Sequence, residues 1–227
     1  MNCPQILYED TYCVAVNKPN NMLVHHSYYA RNLKYEQSLF EWYKNTFNTI
    51  AYPIHRLDYK TSGIILFGKD TTNIRAFQKL FEDNTIHKTY LALLRGHIEA
   101  EGIISTPVKD ENGIYKEAET HYRLLTHYTF NIAVEPFPMS RYSLVELIPK
   151  TGRMHQLRIH ANKISHPIIG DHKHGNRHHN NMFAEKLGMP NLFLHAQKIE
   201  FLHPFLNIPI KIEAQLPEFW NGIFRIE

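Results

Sequence analysis

The chain consists largely of short runs of apolar and aromatic residues that are separated by turn-forming residues. Runs of this length and composition are typical of β-strands. Within residues 142–148, Val145 and Leu147 fall on one face of a strand and are predicted to point into the core. Eight segments are predicted as strands: 12–17, 64–68, 89–95, 103–108, 120–125, 143–148, 192–201 and 208–214.

Helices are fewer. Ser38 and Glu41 have the spacing of a capping box, which predicts a helix that starts after Ser38. Asn73 is predicted to cap a second helix, and residues 154–163 are predicted as a third. The polar segment 171–181 is predicted as a long exposed loop. Together the elements indicate an α+β fold, with a large mixed, mainly antiparallel sheet and flanking helices in a single domain over residues 1–227.

Histidine is enriched, with 16 residues in a chain of 227, which raises the question of a metal site. Metal binding needs several imidazoles that converge, and the sequence has neither an HExxH motif nor a cysteine-containing zinc spacing. The remaining candidates are His172, His174, His178 and His179, and a metal-dependent hydrolase that uses them is one alternative. The interpretation that we favour is a solvated loop beside a nucleic-acid surface, without a metal.

Charge and targeting signals restrict the setting of the protein. The formal net charge of +3 is compatible with a nucleic-acid partner but does not require one. Cys3 and Cys13 form no CxxC pair, which suits a reducing compartment. No apolar run approaches the ~18 residues of a membrane span, and the first residues lack the pattern of a signal peptide. We therefore expect a cytoplasmic protein that does not associate with membranes.

The segment 55–63 places a carboxylate, Asp58, beside Arg56 and directly before a buried strand. By itself, an Arg-Leu-Asp tripeptide would be interpreted as a salt bridge that caps a strand. Three further segments change that interpretation. They are Asn17-Lys18-Pro19, Lys88-Thr89-Tyr90 and the run 147–160, which contains Lys150-Thr151-Gly152-Arg153 and His155-Gln156-Leu157-Arg158.

In order and spacing these segments resemble the RluA-type family of RNA pseudouridine synthases. With Leu194-His195-Ala196 and His203-Pro204 the resemblance covers nearly the whole chain, and residues 120–123 and 170–175 resemble the branch that modifies tRNA. The resemblance implies an isomerase that acts on the uridine at position 65 of tRNA, near the junction of the acceptor and T arms. The same chemistry on a ribosomal RNA uridine, and a non-catalytic RNA-binding module, are the alternatives.

Pseudouridine formation breaks the bond between ribose C1′ and uracil N1, and then joins C1′ to C5. No atom is lost and no redox change occurs, so no cofactor is expected. The resemblance assigns the catalytic carboxylate to Asp58, its guanidinium partner to Arg158 and an aromatic surface for the flipped base to Tyr90. Attack on the sugar or the base and abstraction of a sugar proton both remain possible for Asp58. A glycoside hydrolase would need a second carboxylate, for which we find no convincing candidate.

The target base must leave the RNA stack, because C1′ and C5 cannot be reached inside it. The resemblance implies that Arg56 assists this extrusion. His55 and Lys88 are further candidate substrate contacts, and phosphate contacts are expected from Lys18, Lys60, Arg153, Lys163, Lys173 and Arg177.

Two departures from the family pattern concern the N-terminal part of the chain. Many relatives have a glycine after the Lys-Pro pair, where this chain has Asn20 and Asn21. Asparagine tolerates left-handed backbone, so we expect the turn to persist. The first strand is reached by Ile6, so no additional N-terminal RNA-binding domain is expected. The expected partner is tRNA, without an obligate protein partner.

Overall fold

The computed structural model describes residues 3–26 and 37–225. By internal packing the chain divides into a first unit, Met1–Lys88 with Ala196–Pro217, and a second unit, Thr89–His195 with Glu218–Glu227. The expectation of a single catalytic domain stays a prediction. No helix among residues 3–26 and 37–225 has the length and apolarity needed to cross a membrane.

Strands and helices are interspersed along the described residues. In order they are β1 (Gln5–Glu9), β2 (Cys13–Lys18), α1 (Leu39–Phe47), β3 (Tyr52–Pro53), β4 (Ser62–Gly68), α2 (Thr71–Glu82), β5 (His87–Arg95), β6 (Glu101–Ser105), β7 (Val108–Lys109), β8 (Tyr115–Lys116), β9 (Glu119–Phe130), β10 (Ser140–Pro149), α3 (Gln156–Lys163), α4 (Arg177–Lys186), β11 (Leu194–Leu202), β12 (Pro209–Glu213) and a 3-10 helix (Glu218–Arg225).

The first unit contains an antiparallel arrangement in which β2 lies between β1 and β4, while β3 adds to β4 and β12 pairs with β11. Its core forms between these strands and α2. Phe77 of α2 packs there against apolar side chains from the strands. The buried members are Cys13, Ala15, Ile54, Ile64, Leu66, Phe77, Ile86, Ile199, Phe201, Ile212 and Ala214.

In the second unit the strand order is β5, β10, β9, β6, and every neighbouring pair is antiparallel. β7 and β8 form a separate two-stranded sheet. Helix α3 packs on β10 through Leu157 and Ala161, and Val145 and Leu147 lie in this core, as predicted. The buried members are Ala92, Leu94, Ile98, Val145, Leu147, Leu157, Ala161, Ile168, Leu192 and Leu194. Both units combine antiparallel strands with helices, so the predicted α+β class and mainly antiparallel sheet are confirmed.

Two predicted helix starts differ in detail from the structure. Helix α1 has the predicted capping box, with the Ser38 hydroxyl accepting from the Glu41 N–H. Helix α2 is capped by Asp70, whose carboxylate accepts from the Asn73 N–H at 2.8 Å. Asn73 therefore lies in the first turn, and its predicted role as the cap is wrong. Helix α3 begins two residues later than predicted, after His155 in a left-handed conformation (φ 55°).

The prediction of an irregular exposed loop at 171–181 is also wrong. The segment forms a turn and then enters helix α4, which begins at Arg177. The Asn176 side chain caps this helix by accepting from the His179 N–H. The helix was missed because its first residues are polar and show no apolar periodicity.

Candidate active site

Asp58 lies in the connection between β3 and β4, directly before a turn. Its main-chain carbonyl accepts from the Thr61 N–H at 3.0 Å. Leu57 is buried in the first unit, whereas Arg56 is exposed and Asp58 is partly exposed. Leu57 therefore anchors the segment in the core, and its two charged neighbours are more exposed to solvent than it is.

Residues 20–22, which follow β2, clamp the turn after Asp58. The Met22 N–H donates to the Tyr59 carbonyl at 3.2 Å, and the Asn20 side-chain amide donates to the Lys60 carbonyl at 2.6 Å. Asn21 adopts a left-handed backbone (φ 56°), so the turn persists without glycine, as expected. The backbone around Asp58 is thus held by a segment distant in sequence.

Lys18 completes this clamp from inside the protein. It is fully buried, and its ammonium donates to the carbonyls of Pro19, Met22 and Tyr59 at 2.9, 2.9 and 3.2 Å. Burial lowers the pKa of Lys18 to about 7, and the nearby Asp58 carboxylate opposes that shift. An ammonium has three N–H donors, and all three are engaged. The predicted phosphate contact of Lys18 is therefore wrong, because its side chain is buried and its ammonium is bonded to the carbonyls of the turn and of the preceding segment.

His55 and Lys88 pack around the ring of Phe81. The His55 ring lies 4.6 Å from that of Phe81, and the Lys88 ammonium lies 5.8 Å from its centre. His55 Nε2 accepts from the Leu66 N–H at 3.0 Å. Burial and the Lys88 charge lower the pKa of His55 to about 3, so its ring is neutral. The structure gives His55 a role in supporting β4. Its predicted contact with the substrate, and that of Lys88, stay predictions.

In the second unit, Tyr90 stands on β5 opposite Leu147 of β10. Its ring packs against the apolar core of that unit and remains partly exposed. A tyrosine in this position combines a fixed ring with a face that solvent can reach. This is compatible with the predicted stacking on a flipped base.

Arg158 is buried on α3 and forms a two-pronged ion pair with Asp171. Its Nε donates to Asp171 Oδ2 at 2.7 Å, and its Nη2 donates to Asp171 Oδ1 at 2.8 Å. Burial alone would raise the pKa of Asp171, but the hydrogen bonds and charge of Arg158 hold it below its ordinary value. Sequence reasoning missed Asp171. The available signal was a carboxylate directly after the buried Ile168-Ile169-Gly170 segment.

Gln156 holds the loop that precedes α3. Its Oε1 accepts from the Thr151 hydroxyl at 2.7 Å and from the Arg153 N–H at 3.0 Å. Its Nε2 donates to the Glu119 carbonyl at 2.9 Å and to the Thr120 hydroxyl at 3.0 Å. The Arg153 side chain is exposed at the end of this fixed loop, as is expected of a phosphate contact.

His160 fixes the other end of α3. Its ring is fully buried between the Thr120 hydroxyl, 3.0 Å from Nδ1, and the Thr106 carbonyl, 2.8 Å from Nε2. Because the carbonyl can only accept, the proton lies on Nε2 and the Thr120 hydroxyl donates to Nδ1. Burial lowers the pKa of His160, which keeps the ring neutral.

The histidines of segment 171–181 do not converge on one point. His174 Nε2 lies 3.0 Å from His155 Nδ1, and His179 Nδ1 lies 2.8 Å from the buried Tyr142 hydroxyl. Burial is the main cause that lowers the pKa of His179, to about 4. These side chains have separate partners, which argues against the metal-dependent hydrolase.

Within residues 3–26 and 37–225, three possible metal ligands instead lie close together at Asp10, Cys13 and His203. His203 Nδ1 accepts from the N–H groups of Phe205 and Leu206 at 3.2 and 3.0 Å. A ring whose Nδ1 accepts hydrogen bonds carries its proton on Nε2, and His203 Nε2 faces Asp10 at 3.0 Å. A protonated nitrogen cannot bind a metal, and burial raises the pKa of the Cys13 thiol to about 12. The residues present do not fit a metal ion.

The structure therefore brings the predicted residues together in two sets. Asp58, Arg56 and His55 lie in the first unit, together with Lys18 below the turn. Tyr90, Arg158 and Arg153 lie in the second unit. Lys173 is also in the second unit and is exposed. The pairing of Asp58 with Arg158 joins residues of different units and stays a prediction.

Comparison with known proteins identifies relatives over nearly the full length. Residues 12–163 match the family described as RNA pseudouridylate synthase. The chain is 37% identical to tRNA pseudouridine synthase C of Vibrio cholerae, covering 96% of this chain and 93% of that protein. It is 38% identical to tRNA pseudouridine synthase C of Haemophilus ducreyi, covering 97% and 94%. The fold is similar to that of human RNA Pseudouridylate Synthase Domain Containing 1, with a TM-score of 0.74, 24% identity and coverage of 95% and 84%.

Proposed function

Because the chain belongs to the RNA pseudouridylate synthase family, we propose that it isomerises one uridine of tRNA, that at position 65, to pseudouridine. The observation that carries the proposal is the similarity, over nearly the full length, to proteins named tRNA pseudouridine synthase C. The reaction and its RNA substrate belong to the cytoplasm in this proposal, and no protein partner is required.

Asp58 supplies the carboxylate near ribose C1′. Its turn is held by Lys18, Asn20 and Met22, so the group is placed before the RNA arrives. Preorganisation of this kind lowers the barrier, because the reacting groups need not be ordered during the reaction. Direct attack and abstraction of a sugar proton both need an ionised carboxylate at this place, so both remain compatible with the site.

The neighbouring groups have distinct tasks in the proposal. The exposed Arg56 enters the RNA helix as the base leaves, and Tyr90 offers its ring to the flipped uracil. Arg158 orients the Asp58 carboxylate. His55 and Lys88 line the approach of the substrate. Arg153 and Lys173, both exposed, bind phosphates and set the register of the RNA.

The test is to incubate the purified protein with unmodified tRNA and to map pseudouridine at each position. We expect one modified position, which disappears when uridine 65 of the tRNA is replaced by cytidine. Asp58→Asn keeps the size of the side chain and removes the charge, so we expect no product. Asp83→Asn changes an exposed carboxylate at the end of α2 in the same unit and is expected to retain full activity.

Each other outcome corrects a defined part of the proposal. No product on tRNA, with product on ribosomal RNA, would move the same chemistry to the alternative substrate. Product at another tRNA position would overturn the assignment of position 65. Full activity of folded Asp58→Asn would remove Asp58 from the catalytic role. RNA binding without any product on either RNA would favour the non-catalytic module.

A further inference from the structure

We propose that Asp171 is a positioning residue for the reaction, which fixes the guanidinium of Arg158 in the orientation that serves the catalytic carboxylate. The inference rests on the proposed function, in which Arg158 acts on Asp58. It adds a carboxylate that does not itself touch the substrate.

The contact uses one particular edge of the guanidinium. Arg158 has five N–H donors arranged in a plane, and Asp171 engages Nε and Nη2, one on each carboxylate oxygen. Two parallel hydrogen bonds fix both the position and the plane of the group. The edge formed by Nη1 and Nη2 is thereby directed away from Asp171, and this is the edge that can address a second carboxylate.

Asp171 is held in place by contacts that do not involve Arg158. Its Oδ1 also accepts from the N–H groups of Lys173 and His174, at 2.9 and 3.0 Å. Its carbonyl accepts from the Asn180 side chain at 2.8 Å, and the same amide accepts from the Gly170 N–H at 2.8 Å. The carboxylate is therefore a fixed point onto which Arg158 is aligned.

The backbone at this point admits little movement. Gly170 has φ 78°, and a methyl group there would overlap the carbonyl oxygen of Asn191. A methyl group at Gly175 would overlap the carbonyl of Asp171 itself. The His174 carbonyl also accepts from the Asn162 side chain on α3, which ties the turn to the helix that carries Arg158. These constraints keep Asp171 and Arg158 in one rigid local arrangement.

Removal of the Asp171 charge would leave a buried guanidinium without this counter-charge and without its second acceptor oxygen. Arg158 then loses the paired hydrogen bonds that set the plane of its guanidinium, and its orientation is less tightly fixed. Because RNA binding depends on exposed cations elsewhere, the effect should fall on the chemical step rather than on affinity. A purely structural role of Asp171 would instead lower stability and leave the rate of the folded enzyme unchanged.

The decisive variant is Asp171→Asn, measured by single-turnover rate, KM for tRNA and thermal unfolding. We expect the rate of the folded protein to fall by about 10- to 100-fold, by analogy with the carboxylates that orient metal-binding histidines in other proteins. We expect KM to stay within about threefold, because no phosphate contact is lost. Together with Arg158→Lys, the loss should be less than the product of the two single losses, because both changes disturb one orientation.

Asp10→Asn is the matched control. Asp10 Oδ1 accepts from the N–H groups of Tyr12 and Cys13, which lie at the same sequence offsets as the partners of Asp171, and Asp10 faces His203 at 3.0 Å. It lies in the first unit, outside the proposed catalytic set. We expect lower stability and an unchanged single-turnover rate at a temperature where the protein is folded.

The outcomes separate this inference from the function on which it rests. Failure of the wild type to modify tRNA would overturn the proposed function itself. An active wild type with an equally active, folded Asp171→Asn variant would overturn only the positioning role, as would multiplicative losses in the double variant. If Asp171→Asn does not fold, Asp171→Glu keeps the charge but displaces the guanidinium. A wild-type rate in the folded Glu variant would then overturn the inference.

Discussion

At the scale of single residues, the partners of the polar atoms decide the role of a side chain. Lys18 belongs to a type that is usually solvated, yet its side chain is buried and its ammonium donates to three main-chain carbonyls. As a histidine, His55 could be a metal ligand or a general base. Its ring is instead neutral and accepts a hydrogen bond from the Leu66 N–H. The sequence shows the residue types near Asp58, whereas their burial depends on segments that lie far apart in the chain.

Lys18→Met is expected to destabilise the protein by about 3 kcal/mol, because three partly buried carbonyls lose the Lys18 donor and only that of Tyr59 has a second donor described here, the Met22 N–H. An unsatisfied buried group costs about 1–3 kcal/mol. The loss of the Lys18 hydrogen bond to the Tyr59 carbonyl is also expected to loosen the turn that follows Asp58. Urea unfolding measures the loss. Lys79→Met replaces a lysine whose side chain is 71% exposed and should stay within about 0.5 kcal/mol of wild type. Equal stabilities of the two variants would contradict the structural role of Lys18.

His55 predicts a pH dependence of stability. Its folded-state pKa, about 3, lies below its ordinary value of 6.5, so the unfolded chain takes up a proton first as pH falls. Stability from this group is therefore present above pH 6.5 and is lost progressively toward pH 3. His160 and His179 act in the same direction, since their pKa values are also lowered.

The measurement is the free energy of unfolding of wild type and His55→Gln between pH 7 and pH 4. Glutamine can accept the Leu66 N–H but does not titrate, so the difference between the two proteins should shrink as pH falls. A difference that is constant over this range would contradict the neutral, buried state of His55.

At the scale of elements, the turns and helix ends carry the strongest constraints. Gly63 is the second residue of β4 and has φ 109°. A methyl group there would overlap the carbonyl of Ala196 in the same unit. Gly113 has φ 80° in the loop between β7 and β8, and a methyl group there would meet no atom within 4 Å. Gly63 is therefore required both by its positive φ and by the lack of space for a side chain, whereas Gly113 is required by its positive φ alone.

Gly63→Ala is expected to cost about 4 kcal/mol or more, because backbone atoms cannot move aside. Gly113→Ala should cost only about 1–2 kcal/mol, the penalty of a left-handed conformation for an L-residue. Chemical unfolding of both variants gives the comparison. Similar losses would show that strand β4 is not pressed against Ala196 as described.

Local signals explain which elements are predictable. The capping box at Ser38 is visible in the sequence because both hydrogen bonds join residues three apart. Helix α4 has a local cap at Asn176 but no apolar periodicity to extend it, and it is also held by tertiary contacts such as the one between His179 and Tyr142. Asp171 shows the same limit within the candidate site, because its partner Arg158 belongs to a different element.

At the scale of the whole molecule, a formal net charge of +3 is a weak overall attraction for RNA. Binding must then depend on where individual cations stand. A set of lysines and arginines was predicted to contact phosphates, and Lys18 shows how burial removes a member from such a set. The net charge therefore does not show how the exposed charges are distributed over the folded chain.

The salt dependence of KM for tRNA counts the phosphate contacts. Each contact contributes about 0.7–0.9 to the slope of log affinity against log salt concentration. Arg153→Ala and Lys173→Ala should each reduce the slope by about one and leave the single-turnover rate near that of wild type. Lys79→Ala, whose lysine pairs with Asp83, should keep the wild-type slope. Unchanged slopes for the first two variants would contradict their assignment to phosphate.

The contrast between the two cysteines has a practical consequence. Cys3 is exposed, whereas Cys13 is buried in the first core with a thiol pKa raised to about 12. Only the thiolate reacts with alkylating reagents. A maleimide dye should therefore label the native protein at a single place, and a second dye should attach only when the first core opens. The rate of that second labelling reports the opening of this unit in the presence and absence of RNA, without any engineered probe.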